Sequence, residues 1–183
     1  QAALNGRRTG LGITGLGDTL AMLSITYGSD SAISTTEEVY KWLAVNSYES
    51  SIVLAKERGA FPIWDYKKES DHPFISNIIS ELLPHRVKDY KEYGRRNIAN
   101  TTTAPAGSVS VLTQTTSGIE PAFMLHYTRR KKLTGQDESA RVDFTDASGD
   151  KWQEYTVYHH GFKQWLDNWD DEATGDLDNA IAH

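Results

Sequence analysis

The chain has 183 residues, of which 38% are hydrophobic and 24% charged, with a formal net charge of −6 and no cysteine. That composition describes a soluble globular chain long enough for a single domain, 1–183, with a sizeable core; its acidic balance argues against the basic surface that nucleic acid requires. No uncharged apolar run is long enough to span a bilayer, the first residues are no signal peptide, and the missing thiols exclude disulfides and cysteine-ligated metals, which fits a cytoplasmic chain.

Near the start, Gly10-x-Gly12-x-x-Gly15 satisfies the dinucleotide-binding spacing. That chemistry needs a buried strand just before the first glycine and an acid about 20 residues on, and Gln1 to Arg8 is polar and basic instead. Leu11, Leu16, Leu20 and Leu23 repeat at helical spacing, so Gly12 to Ser24 is predicted as a buried helix whose glycines admit neighbouring backbone. Ser34-Thr-Thr-Glu37 reads as a capping box, with Thr35 and Glu38 as the alternative pair one residue later, opening a helix that runs to Arg58 and stops at Gly59. Its expected apolar stripe is Val39, Trp42, Leu43, Asn46, Ser50, Val53 and Leu54, with Tyr40, Trp42 and Tyr48 as packing aromatics. Phe61 to Pro73 is a polar connector. Phe74 to Leu83 is an amphipathic helix with Ile75, Ile78, Ile79 and Leu82 on one face; Pro84 starts another, His85 to Tyr93, closed by Gly94. His72 and His85 stand alone and read as surface residues, and Arg95-Arg96 as a solvated pair.

The most informative stretch follows. A short β-type run, Ile98 to Thr102, meets Pro105-Ala106-Gly107-Ser108 and continues in small and branched residues to Thr113. Pro105 holds Ala104 extended, Gly107 lets a group approach the backbone, and Ser108 can cap the next turn. Such an elbow points several backbone N–H groups one way with a helix dipole behind them, which suits an anion. No lysine or arginine lies between Asn97 and Tyr127, so an anion here is held by backbone and hydroxyls. A self-capping turn that touches only water is the plainer reading of the same residues. Gly118-Ile-Glu-Pro121 comes soon after, and Glu120 is expected to be a hydrogen-bond acceptor fixing a buried turn rather than an acid catalyst.

Beyond Phe123 the pattern is β: Met124 to Leu133, Val142 to Thr145 and Trp152 to Tyr158, the last two joined by a hairpin turn, Asp146 to Asp150. Phe162, Trp165, Leu166 and Trp169 make a final helix, and the acidic stretch Asp167 to Asp178 is expected to fray. His159-His160 faces no carboxylate at i+3 or i+4 before that tail, so no metal is assigned there.

Taken together, Arg7-Arg-Thr-Gly-Leu-Gly12, the helix ending in Lys56-Glu-Arg-Gly-Ala60, Arg96-Asn97, the Pro105 turn and Gly118-Ile-Glu-Pro121 resemble, in order, the large subunit of ribonucleotide reductase. Ala104-Pro-Ala-Gly-Ser108 and Phe123-Met-Leu-His-Tyr-Thr-Arg-Arg-Lys131 are most similar to the adenosylcobalamin-dependent, class II branch. The resemblance implies an α/β fold, part of a ten-stranded α/β barrel, with a helix-rich N-terminal half and a β-hairpin near the C-terminus. It implies radical reduction of ribonucleoside di- or triphosphates, with adenosylcobalamin as cofactor of the full-length enzyme and Pro105, Ala106, Gly107, Ser108 and Val109 as the substrate-phosphate turn. The family's radical cysteine sits in an Asn-x-Cys-x-Glu loop expected before Gln1, and its two redox cysteines are missing too. The chain is therefore expected to be a catalytically inactive fragment, the second half of the barrel, whose partners are the remainder of the reductase and, in isolation, further copies of itself. A non-catalytic phosphate- or nucleotide-binding module and a purely structural domain are the alternatives; neither membrane nor nucleic acid is expected as a partner.

Overall fold

The computed structural model describes residues 1–134 and 139–168. They form two compact units, one of Gln1–Leu112 and Thr116–Pro121, the other of Thr113–Thr115 and the described residues from Ala122 onward.

In the first unit, helices α1 (Ala2–Gly6) and α2 (Leu16–Met22) precede the long α3 (Asp30–Arg58). Short helices α4 (Tyr66–Glu69) and α5 (Pro73–Ser76) follow, then a π-helical turn Asn77–Leu82, a 3₁₀ turn Pro84–Arg86, α6 (Val87–Tyr93) and α7 (Gly107–Thr113). The predicted helix Gly12 to Ser24 is shorter than expected, because Gly15 takes a left-handed φ of 69° as the residue before α2. Chain 9–12 instead lies beside 99–102: Leu11 and Thr101 form a parallel bridge, with Thr9 N–H donating to Ala99 O (2.9 Å), Leu11 N–H to Asn100 O (2.8 Å) and Thr102 N–H to Leu11 O (2.9 Å). The glycines serve this approach, since a Cβ on Gly12 would come within 2.4 Å of Thr102 O. The expected strand Ile98 to Thr102 is thus reduced to this single bridge among the described residues.

Helix α3 starts earlier than the Ser34 box. Ser29 is its N-cap, its hydroxyl accepting from Ala32 N–H at 3.2 Å, and Asp30 supplies the first-turn acid that the dipole favours. Its buried face is also not the predicted one. Val45, Tyr48, Ser51, Ile52 and Ala55 are inside, whereas Val39 and Trp42 are 38% and 54% exposed. The small residues Ser51 and Ala55 let another segment lie against the helix: Ser51 O accepts from Arg96 N–H at 2.9 Å and its hydroxyl donates to Asn97 Oδ1 at 3.0 Å.

The core packs Val45, Tyr48 and Ile52 of α3 against Ile75, Ile78, Ile79, Leu83 and Tyr90. The expected face of the 74–83 segment is correct, although most of that segment is π-helical. Deep burial of such branched side chains supplies the main driving force, roughly 1.5–3 kcal/mol for each one removed from water. A second cluster joins Leu16, Leu20 and Ala32, with Ile13, Ile25, Tyr40 and Ile119 packed around them.

The other unit is an antiparallel sheet in the order β1-β3-β2, from β1 (His126–Lys132), β2 (Phe144–Thr145) and β3 (Lys151–Tyr158), followed by α8 (His160–Asp167). Register runs from His126 opposite Tyr158 to Lys132 opposite Trp152, and Phe144 opposite Trp152 on the other side. The hairpin turn is built by Asp146: its Oδ1 accepts from Ser148 and Asp150 N–H (2.9 and 3.0 Å), its Oδ2 accepts from Trp152 Nε1–H (2.9 Å), and Gly149 supplies φ 84°. Those donors hold the Asp146 carboxyl below its ordinary range, the Trp152 indole most of all. His159 precedes α8 as its N-cap and His160 opens the helix. The expected fraying of the acidic stretch and the place of Trp169 fall on residues outside those described.

Candidate functional site

Pro105, Gly107, Ser108 and Val109 are exposed and Ala106 is half-buried. The elbow matches expectation only in part: α7 begins at Gly107, so Ser108, expected to cap the next turn, lies inside the helix, and residues 102–106 form no strand. Ser110 N–H donates to Ala106 O at 2.9 Å across the opening turn of α7, and Ser110 Oγ donates to Gly107 O at 2.8 Å. The amides of Gly107 and Ser108 therefore open the first turn, ahead of the helical ladder. A Cβ placed on Gly107 would meet nothing within 4 Å, so the approach to the turn is open.

The elbow is held from both sides by the segment that carries the glycines. Upstream lies the parallel pairing of 9–11 with 99–102. Downstream, Ala106 N–H donates to Ser117 O at 2.8 Å, and Gly15 N–H donates to both Thr116 O and Gly118 O at 3.0 Å. Asp18, in the first turn of α2, accepts from Thr116 N–H at 2.8 Å. Gly17 of α2 lies so close to Pro121 that a Cβ there would come within 2.5 Å of Pro121 Cα. The sequence carries no local signal for Asp18 or for these contacts beyond the cluster of glycines, which predicts close packing in general.

Glu120 departs from expectation. Its side chain is exposed, with Oε2 folded over Gly118, where a Cβ would lie 2.5 Å away. The buried turn is secured by Gly15 and Asp18 instead, so Glu120 has no such role. Glu120→Gln is accordingly expected to change unfolding free energy by less than about 0.5 kcal/mol in a denaturant titration.

Arg95 also departs from a solvated pair, whereas Arg96 stays near the surface. Arg95 is only 4% exposed and is paired with Glu69 of α4. Its Nε–H reaches both Glu69 oxygens (3.1 and 3.0 Å), and its Nη1 donates to the carbonyls of Asn97 (2.6 Å) and Ile98 (3.0 Å). Its guanidinium carbon lies over the Tyr48 and Phe61 rings, 5.3 and 5.4 Å from their centroids. Glu69 Oε2 also accepts from Tyr90 OH (2.7 Å) and Trp64 Nε1–H (3.0 Å). Burial alone would raise the Glu69 carboxyl, but the hydrogen bonds from Arg95 and Tyr90 outweigh it and leave the group below its ordinary range. Burial, then the bond to Glu69, pushes the Tyr90 phenol up. Arg96 donates to Arg58 O and Gly59 O (2.7 and 3.0 Å), tying off the end of α3. Both arginines thus fasten the approach to the elbow, and neither stands beside Gly107. His72 and His85 are exposed, as predicted, and His85 Nε2 lies 3.0 Å from Glu49 Oε1.

A glycine-lined parallel contact leads the chain into an exposed turn that opens α7, in a stretch without lysine or arginine. A sequence model of the ribonucleotide reductase barrel domain matches residues 1–155, and the chain belongs to that family. It is 34% identical over 174 residues, 95% of its length, to a vitamin B12-dependent ribonucleoside-diphosphate reductase of Thermoplasma acidophilum, and 33% identical over 129 residues, 70% of its length, to one of Mycobacterium tuberculosis. A ribonucleoside-diphosphate reductase subunit alpha of Chlamydia pneumoniae is 30% identical over 155 residues, 74% of this chain. The alignments take in 19%, 16% and 15% of these relatives, so the chain spans less than a fifth of their length. The helices with a small antiparallel sheet are consistent with the expected α/β class.

Proposed function

We propose that the chain is part of the catalytic barrel, ten-stranded in the whole protein, of a vitamin B12-dependent reductase that converts ribonucleoside di- or triphosphates to deoxyribonucleotides. In this reading Pro105, Ala106, Gly107, Ser108 and Val109 hold the substrate's phosphate. The observation that carries it is the open first turn at Gly107 and Ser108, in a stretch without lysine or arginine, within the residues matched by the family. Several amides meeting one anion make charge-assisted bonds, and the helix dipole adds to them. Substrate is oriented by main-chain geometry, and no proton moves on these residues. The absence of cysteine leaves the radical and redox steps to other parts of the enzyme, and the chain alone is inactive.

In this reading adenosylcobalamin is the cofactor of the full-length enzyme, as the vitamin B12-dependent relatives indicate; no residue of this chain is assigned to hold it, and no step is routed through it.

The test is amide chemical shift on adding inorganic phosphate or a nucleoside diphosphate to isotopically labelled chain. Shifts are expected at Ala106–Val109, abolished by Gly107→Val, weakened by Ser108→Pro, which removes one donor, and unchanged by Val109→Ala. Shifts confined to the exposed basic run Arg129–Lys132 of β1 would instead show anion held by surface charge and refute the assignment.

The remainder of the reductase is the proposed partner, in a cytoplasmic setting; no helix among the described residues is long and apolar enough to cross a membrane. Leu4, Met22, Val111 and Leu112 are 72%, 84%, 77% and 85% exposed, apolar surface suited to burial against more protein. Alone, the chain is expected to self-associate, with sedimentation giving a mass above 20.5 kDa at tens of micromolar; a clean monomer would contradict this.

A further inference from the structure

Resting on the phosphate-turn reading, we infer that Asp18 is a positioning residue: its carboxylate sets the geometry of the Pro105–Val109 turn through Thr116 and Ser117, without touching the anion. The path is a chain of hydrogen bonds. Asp18 Oδ2 accepts from Thr116 N–H at 2.8 Å; Gly15 N–H donates to Thr116 O at 3.0 Å, and the next carbonyl along, Ser117 O, accepts from Ala106 N–H at 2.8 Å. Thr116 is therefore gripped at both its amide and its carbonyl by the start of α2, and Ser117 presents its carbonyl to the residue that begins the elbow. Ala106 is also the residue whose own carbonyl receives the first helical bond, from Ser110 N–H. Moving the 116–117 peptide would tilt the first turn, and with it the Gly107 and Ser108 amides. A bond to a carboxylate is roughly twice as strong as a neutral one, which suits a clamp that must not drift.

The competing explanation is that an acid in the first turn of α2 merely favours that helix's dipole. Two substitutions separate geometry from charge. Asp18→Glu keeps the charge near the helix start but displaces the acceptor by a methylene; Asp18→Asn keeps an acceptor oxygen in place and removes the charge. Amide hydrogen exchange is measured at Ala106, with Leu23, whose N–H donates to Thr19 O within α2, as the internal reference; inorganic phosphate is titrated in parallel.

With Asp18→Glu, Ala106 exchange is expected to rise about tenfold while Leu23 is unchanged, and the phosphate midpoint at Gly107 and Ser108 to weaken several-fold. Asp18→Asn, which keeps a weaker neutral bond in the same place, is expected to have a smaller effect than Asp18→Glu on Ala106 exchange and on the phosphate midpoint, and none on Leu23. The inference is overturned if Ala106 exchange is indifferent to Asp18→Glu, if Leu23 accelerates equally, or if Asp18→Asn has the larger effect. Absence of phosphate shifts in the parent chain refutes the phosphate reading instead, and Ala106 exchange then decides the role of Asp18 by itself.

Discussion

Arg95→Ala is expected to destabilise the first unit by about 3–5 kcal/mol, the cost of leaving a buried partner charge uncompensated. The size follows from what remains. Glu69 keeps only 14% of its side-chain surface in water, and with Arg95 gone it retains just the Tyr90 and Trp64 donors. The carbonyls of Asn97 and Ile98 lose their donor, and the Tyr48 and Phe61 faces lose the cation between them. Arg95→Lys should recover a minority of the loss, since an ammonium cannot serve both carboxylate oxygens and two carbonyls from one plane. Chemical denaturation of parent and variants measures the difference, and a loss under 1 kcal/mol would refute the assignment. The pH dependence carries its own sign. Glu69 is held below its ordinary 4.5, so its contribution is complete above that pH and is lost as pH falls through the lower folded value. The parent should therefore lose this stability below about pH 4.5, and the Arg95→Ala variant should have little of it to lose.

That pair shows where sequence reasoning stops. Glu69 and Arg95 are 26 residues apart, one in a lysine-flanked connector and the other in an arginine doublet, and every local signal around them says solvent. Only the packing of α4 and α6 against Tyr48 turns Arg95 inward. The start of α3 failed for a different reason: Ser34-Thr-Thr-Glu37 is a valid cap pattern, but Ser29-Asp30 is another, and nothing local decides which of two caps the chain uses. The rotated face of α3 has a related cause. Its buried stripe includes Ser51 and Ala55, which are inside because chain 96–97 crosses there, and a stripe sought by hydrophobicity passes them over. The helix start at the elbow, by contrast, was legible because Pro105 and Gly107 act on the backbone within a few residues, although Ser108 lies inside α7 and does not cap it. Its supports were not, since Asp18 meets Thr116 across 98 positions, and Glu120, the acid nearest in sequence, faces outward.

Gly17→Ala puts that remote support to the test, because two ordinary expectations for it have opposite signs. Within α2 the substitution should help: alanine is favoured over glycine by roughly 0.8–1.0 kcal/mol in a helix interior, and Gly17 has no positive φ to relieve. The new Cβ, however, would sit 2.5 Å from Pro121 Cα, 2.6 Å from Pro121 N and 2.9 Å from the Glu120 carbonyl carbon. All three are backbone, with no flexible side-chain end to swing away, so either α2 or the 116–121 segment must shift. Overpacking of that kind costs about 1–3 kcal/mol, and contacts this short belong at the upper end. The net expectation is a loss of about 2 kcal/mol, read from the denaturation midpoint at unchanged slope. Gly107→Ala is the matched control: it also lies in the first turn of a helix, but open space surrounds its Cβ, so its stability should equal the parent's or exceed it by up to about 1 kcal/mol. Because segment 116–121 carries Ser117, the carbonyl that Ala106 donates to, Gly17→Ala should also move the Ala106 and Gly107 amide shifts in the absence of any ligand. A variant more stable than the parent, with those shifts unmoved, would mean that α2 and Pro121 are not in contact and that the elbow is supported from elsewhere.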